Sequence, residues 1–244
     1  ITIHLQKKRK NKMGRKFKKK LIENLTIVDI ADRGKYVAKN EEGQVVFVED
    51  VAPGDVVDVL VYKKRRGYLL GSVKEIKKYS KDRVEPFCEH FGTCGGCKWQ
   101  HIPYEKQLEQ KQQQVRDQLE KIGKVTAQKT IPILGAPKPF EYRNKVELSF
   151  SDIGWIEDVS DLTIERGPAL GFHVPGRFDK VLDINHCHLV NESFNAIIQF
   201  VSNLTKEKEI PYYQIREHTG ILRNLIIRSS SKGGLLVILV ITEL

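Results

Sequence analysis

Long hydrophobic runs are what this sequence lacks most plainly. The longest, Leu235 to Ile241, falls far short of the ~20 apolar residues that a membrane-spanning helix needs, which excludes a helical membrane protein. The basic N-terminus leads into no apolar core and no small-residue cleavage site, so a secretory leader is not expected and the cytoplasm is the default location. Cysteine is scarce, with four in 244 residues, yet three of them, Cys88, Cys94 and Cys97, crowd into one glycine-containing loop. In a cytosolic chain such crowding favours metal or cluster ligands over disulfides.

What is present is an ordinary globular composition, 40% hydrophobic and 30% charged, in a chain long enough for two modest domains. The net charge of +10 is unevenly spread: residues 1–20 hold ten Lys and Arg and no acid, which equals the whole excess. That arm is expected to be disordered, and Met13 is a plausible start that would make residues 1–12 an upstream extension. In the neutral remainder charge is still segregated. Glu41, Glu42, Glu49, Asp50, Asp55 and Asp58 form an acidic stretch, whereas Lys63 to Arg66 and Lys74 to Arg83 form a basic one, which suits a polyanionic partner.

From Leu25 to Ile76, short β-rich runs alternate with turn signals: Leu25–Ile30, Lys35–Ala38, Val45–Val48, Val56–Tyr62 and Tyr68–Ile76, punctuated by Asp32-Arg33-Gly34, Glu41-Glu42-Gly43, Pro53-Gly54 and Arg65-Arg66-Gly67. Five strands in so short a span predict an OB-like barrel, a fold often used on nucleic acid. Its basic hairpin, Lys63-Lys64-Arg65-Arg66, would face phosphates. A helix is expected from Pro103 to Ile122, with Gly123 at its end. Its narrow apolar stripe, Tyr104, Leu108, Val115, Leu119 and Ile122, suits a helix lying across a surface. Residues 131–140 read as a linker. An α+β unit follows, with strands at Val146–Phe150, Ala169–Val174, Lys180–Ile184, Tyr212–Glu217, Leu222–Ser229 and Leu235–Thr242. Its helix is capped by Asn191, with Phe194, Ile197, Ile198, Val201 and Leu204 facing inward. The continuously apolar last strand is expected to be covered on both faces, as in a longer protein.

Cys88, Cys94 and Cys97 make a C-x5-C-x2-C pattern, and Cys187 lies far downstream. Gly95 and Gly96 let the backbone wrap closely and aim N–H groups at sulfur. Spacing alone leaves zinc open, held by four thiolates or by three with His90 or His101, and equally a cubane with one thiolate per iron. The C-x3-C-x2-C spacing of radical enzymes is not matched.

The segment Cys88-Glu89-His90-Phe91-Gly92-Thr93-Cys94-Gly95-Gly96-Cys97-Lys98-Trp99-Gln100-His101 resembles the cluster motif of the uracil-5-methyltransferase family that modifies 23S ribosomal RNA. Val46-Phe47-Val48 and Pro53-Gly54-Asp55 resemble that family's N-terminal TRAM barrel. Tyr142-Arg143-Asn144-Lys145, Leu170-Gly171-Phe172-His173, Asp183 to Cys187 and Gly220-Ile221-Leu222-Arg223-Asn224-Leu225 resemble its central domain. The resemblance spans residues 21–244. Beyond the basic arm read from charge (1–20), it implies a TRAM barrel (21–78), a cysteine cluster loop (79–101), a helix packing on a catalytic domain (102–123) and an iron-sulfur-bearing α+β central domain (124–244), with the Rossmann-like methyltransferase domain absent.

By that resemblance Cys88, Cys94, Cys97 and Cys187 bind a 4Fe-4S cluster with a structural role. Family members attack carbon 6 of a flipped-out uracil with a cysteine thiolate, pass a methyl group from S-adenosylmethionine to carbon 5, and remove the carbon 5 proton with a carboxylate. No residue here is assigned to that chemistry: the cysteines are taken by the cluster, and Gly92, Gly95 and Gly96 lie among its ligands instead of forming a donor-binding loop. Catalytic residues and the S-adenosylmethionine site are expected after Leu244, and residues 1–244 alone are expected to transfer no methyl group. RNA, most simply 23S ribosomal RNA, is the expected partner of a monomer. Lys63, Lys64, Arg65, Arg66, Arg143 and Lys145 are candidates for phosphates; Phe172, His173 and Arg177 are further RNA candidates. Asn144 and Arg223 read as structural. A stand-alone RNA-binding protein stapled by a cluster or zinc, and the transfer-RNA-modifying sister enzyme, remain the alternative readings.

Overall fold

A computed structural model describes residues 17–31, 34–156 and 166–242. Most of the basic arm expected over residues 1–20, with Met13, lies outside the described residues. The chain divides into two compact units, residues 1–81 and 82–244.

The first unit is a closed five-stranded barrel of β1 (Lys20–Ile30), β2 (Tyr36–Lys39), β3 (Val45–Val48), β4 (Val56–Arg65) and β5 (Tyr68–Lys78), ordered β1-β2-β3-β5-β4. Four pairings are antiparallel, and the β3–β5 pairing is parallel. Strand alternation points Leu25 and Ile27, Tyr36 and Ala38, Val46 and Val48, and Val57, Val59 and Val61 inward, all buried. Closure needs local bends. One is a bulge between Ile22 and Leu25, where Asn24 adopts a φ of 54° and donates its N–H to Asp58 Oδ1 at 2.9 Å.

The acidic stretch expected as a face is therefore partly interior. Asp58 is 4% exposed and Asp55 fully buried, its carboxylate accepting from Ala52 N at 2.7 Å and Ser80 N at 2.8 Å. Backbone donors needed those carboxylates more than solvent did.

The second unit holds a five-stranded antiparallel sheet ordered β10-β9-β6-β7-β8, from β6 (Lys145–Ser151), β7 (Ala169–His173), β8 (Val181–Asp183), β9 (Leu222–Ser229) and β10 (Leu235–Ile241). Helix α2 (Glu192–Glu207) starts at Asn191, whose side chain accepts from Phe194 N, and covers one sheet face with Phe194 and Ile198. The core also takes in Leu148, Phe150, Leu170, Leu225 and Ile227. Helix α1 (Tyr104–Asp117) precedes the sheet and ends in a π-helical turn, Gln118–Ile122. No helix among the described residues is long and apolar enough to cross a membrane.

Several expectations need correction here. Residues 212–217 form no strand: Tyr212 and Gln214 make isolated bridges to Leu222 and Thr219, and a turn intervenes. Leu204 is 39% exposed, and the buried polar residues Asn195 and Thr205 take inward positions on α2. Thr205 is accommodated by a hydrogen bond with the Tyr212 hydroxyl at 2.6 Å. Pro103 is the N-cap of α1 and not its first helical residue. The expected linker folds back on α1, Gln112 bonding both Ile131 O (3.3 Å) and Ile133 N (3.1 Å). Strand β10 is an edge strand, and Leu235 to Leu239 are 40 to 54% exposed. A run without periodicity cannot distinguish burial on both faces from exposure on both.

Candidate metal centre

The cysteine loop has no strand or helix to shape it, so its own hydrogen bonds do that work. Phe91 N donates to Cys88 O at 3.0 Å and Cys94 N to His90 O at 2.8 Å, winding the loop around Gly92, whose φ is 93°. Gly95 N then donates to His173 O, at the end of β7, at 3.3 Å. A Cβ on Gly95 would stand 2.7 Å from that same oxygen, so only glycine lets the loop lie this close to the sheet. Gly96 N donates to Cys94 Sγ at 3.3 Å, the N–H to sulfur contact that the glycines promised.

Cys187 comes to this loop from the turn before α2. Asn195, 2% exposed, clamps it from inside the helix: its Oδ1 accepts from Cys187 N at 2.9 Å and its Nδ2 donates to Cys187 O at 3.3 Å. Two bonds tie the segments together. Asn185 N donates to His90 Nε2 at 3.3 Å, and Arg143 Nη2 donates to Gly96 O at 3.2 Å.

The four cysteines thereby line one cavity, with Gln100, Arg143, Phe172 and Ile184 among the other walls. Its volume, mouth included, is about 360 Å³. Burial pushes the Cys94 thiol up to about 11, and the neighbouring charges of Cys97, Cys187 and Cys88 push the same way against the Gly96 N–H. Burial likewise raises Cys88 and Cys97, opposed at Cys88 mainly by the His90 N–H and at both by a Gln100 side-chain hydrogen bond; the Arg143 charge adds to that opposition at Cys97. Left to themselves these thiols stay protonated. A cation among them would reverse that balance, because metal binding selects the thiolate.

Thiolates on a single zinc each lie about 2.3 Å from it. Among the described residues no three His, Cys, Asp or Glu side chains are gathered closely enough for one ion. Four thiols lining one cavity are a donor set of the kind that both thiolate-ligated zinc and iron-sulfur centres use.

The candidate RNA residues fall into two sets. Lys63, Lys64 and Arg65 run along the outer end of β4 and Arg66 turns into β5; all four are exposed, and none forms an ion pair among the described residues. Tyr62 and Tyr68 are exposed beside them. In the second unit Arg143 and Phe172 are both drawn into the cysteine cavity, and Phe172 also packs on the core. Lys145 pairs with Glu147 at 3.1 Å, and His173 Nε2 lies 3.1 Å from Ser149 Oγ. Arg177 stands 6.0 Å from the Trp155 ring centre. The backbone carbonyl of Asn144 accepts from Ser229 N at 2.9 Å, and the Arg223 guanidinium lies 4.5 Å from the Tyr213 ring centre. Sequence reasoning missed Gln100, His90's bond to Asn185, and Asn195. Only the first two carry a signal, since both lie within the cysteine motif.

A TRAM domain model matches residues 21–74, the strands of the barrel. Over 224 residues, covering 88% of this chain and 48% of the relative, the sequence is 42% identical to an uncharacterized RNA methyltransferase of Porphyromonas gingivalis. It is 43% identical over 219 residues to one from Bacteroides thetaiotaomicron, with the same coverage, and 40% identical over 233 residues to one from Chlorobaculum tepidum, covering 93% and 48%. The fold is similar to that of the Pyrococcus abyssi tRNA (uracil-54, C5)-methyltransferase solved with S-adenosyl-L-homocysteine, with a TM-score of 0.57 and 21% identity, covering 90% of this chain and 46% of that one. The chain spans about half the length of the curated relatives it matches. It therefore carries a TRAM domain and is homologous, over about nine-tenths of its length, to RNA methyltransferases.

Proposed function

We propose that residues 1–244 are the RNA-capturing, iron-sulfur portion of an S-adenosylmethionine-dependent methyltransferase that acts on carbon 5 of a uridine in 23S ribosomal RNA. The catalytic residues and the methyl-donor site lie outside this span. One observation carries the reading: Cys187, remote in sequence, shares a cavity with Cys88, Cys94 and Cys97 in a chain homologous to RNA methyltransferases. The four thiolates hold a 4Fe-4S cluster. When bound, that group supplies a staple between the cysteine loop and the sheet and takes no part in methyl transfer. Gln100 and the Gly96 N–H orient sulfur, and Arg143 offsets its charge.

The barrel hairpin, Lys63 to Arg66, takes phosphates, while Lys145, His173 and Arg177 contact RNA from the second unit. A target base must leave its stack to be modified, so the capturing surface has to hold RNA that is locally unpaired. A transfer RNA target is the second reading, favoured by the tRNA substrate of the structurally similar Pyrococcus abyssi enzyme. Anaerobic purification followed by iron, sulfide and zinc counts tests the cofactor. Four irons and four sulfides per chain, in brown protein, are expected. One zinc per chain in colourless protein would sink the cluster.

A further inference from the structure

Three irregular segments of the second unit meet beside β8: residues 152–155, the turn at 174–180, and the turn at 213–219. Trp155 N donates to Val181 O at 2.7 Å, and Gln214 Nε2 donates to Asp152 Oδ2 at 2.9 Å. Arg216 donates to Asp179 Oδ2 from Nε at 3.0 Å and from Nη2 at 2.6 Å. The carboxylate side chain is 9% exposed and the arginine 70%, so a largely covered anion holds an outward-facing guanidinium in place. That anion stays ionised, since the Arg216 bonds keep Asp179 below the usual carboxylate range.

Aromatic rings and guanidinium groups alternate across this surface. Arg216 stands 6.0 Å from the centre of Phe178, itself 66% exposed, and Arg177 stands at the same distance from Trp155. The core gains little from Phe178, which lies outside it. A large ring left in water beside a fixed cation is a stacking platform: every base has a π-face, and the arginine adds attraction for the backbone. Among the described residues the bonds to Asp179 engage Nε and Nη2, and no bond is made by Nη1, the nitrogen that would meet a phosphate oxygen.

We propose that Phe178 and Arg216, with the Arg177–Trp155 pair beside them, form a stacking site for an unpaired base of single-stranded RNA. The proposal rests on the reading that this chain captures RNA, and it adds a surface separate from the barrel hairpin and from the cysteine cavity.

The test titrates the whole chain with a labelled single-stranded oligouridine of about twelve nucleotides, a length within the usual range of such sites, and with a duplex of equal length. Phe178→Leu keeps apolar bulk but removes the ring, and is expected to weaken single-strand binding about tenfold. Phe178→Trp is expected to retain binding. Arg216→Gln is expected to weaken it about fivefold and to lower the slope of log affinity against log salt by about one. Duplex binding should not respond to Phe178→Leu.

Replacing Lys63, Lys64, Arg65 and Arg66 together by Ala separates this site from the broader reading. If that replacement weakens RNA binding while Phe178→Leu leaves it unchanged, the stacking site is overturned and RNA capture stands. Loss in Phe178→Leu that is equal in Phe178→Trp also overturns stacking. Failure of the unaltered chain to bind either RNA removes both.

Discussion

The barrel and the cysteine loop of the second unit differ in what surrounds their backbone: the barrel closes on its own packed interior, whereas the loop lies beside a sheet whose core is formed by other residues. In the barrel, every strand has a neighbour on both edges, alternate side chains fill the interior, and the two buried acids, Asp55 and Asp58, accept from backbone N–H groups. Closure of that kind needs no external group. The second unit has an orderly sheet but attaches to it an irregular loop through a few bonds, with four thiols facing a shared cavity. Small regions that lack a core of their own gain their stability from a metal or cluster staple. A region held by packing thus stands beside a loop that, on the proposed function, is held by ligation.

The sharpest way to break that contrast is to remove one ligand. On the proposed function, Cys187→Ser should abolish iron retention and expose the loop at 84–101 to proteolysis, while the barrel keeps its protection. Iron counting and limited proteolysis with mass mapping check this. Equal loss of protection in residues 20–78 would show that the barrel depends on ligation after all.

A smaller effect comes from the barrel side. A Cβ at Gly71 would collide with Val59 Cγ1 in the interior and stand 3.3 Å from Leu60 O. Overpacking of this kind costs about 1–3 kcal/mol, so Gly71→Ala should lower the barrel's melting temperature without changing the iron content. Thermal unfolding monitored by hydrogen exchange of the barrel residues 20–78, together with iron counting, checks both halves of the claim. Loss of iron alongside the barrel's stability would erase the distinction between the two regions.

What the sequence made legible follows the same division. Short β-rich runs between turn signals marked all five barrel strands, because turn chemistry and β-propensity are local properties of the residues. Asn191 marked the start of α2 because capping is a local interaction. The cysteine loop was legible through residue type, not pattern. The partners that hold it were not: Asn195 reads as an ordinary helix residue until Cys187 is seen beside it. Asp55 and Asp58 read as surface charge because burial of a carboxylate depends on donors that arrive from elsewhere, Ser80 in one case and Asn24 in the other. Strand β10 misled for the opposite reason, since its composition says apolar without saying against what.

Asp58 gives the smallest and most local probe of how the barrel is held. The Asn24 N–H is the main cause that lowers its carboxyl below the ordinary value of 3.8; burial opposes it, and Lys77, 3.4 Å away, adds to the lowering. A depressed folded-state value means the carboxylate stabilises the barrel fully above the unfolded value. That contribution is lost as pH falls through the lower, folded value. Asp58→Asn keeps an acceptor for Asn24 but removes the charge that Lys77 meets. Its barrel should melt below the unaltered protein at neutral pH, and the two melting curves should converge as the pH drops under 3.8. A gap that persists unchanged into that acid range would mean that the shape of the bulge, and not the ionised carboxylate, is what Asp58 supplies.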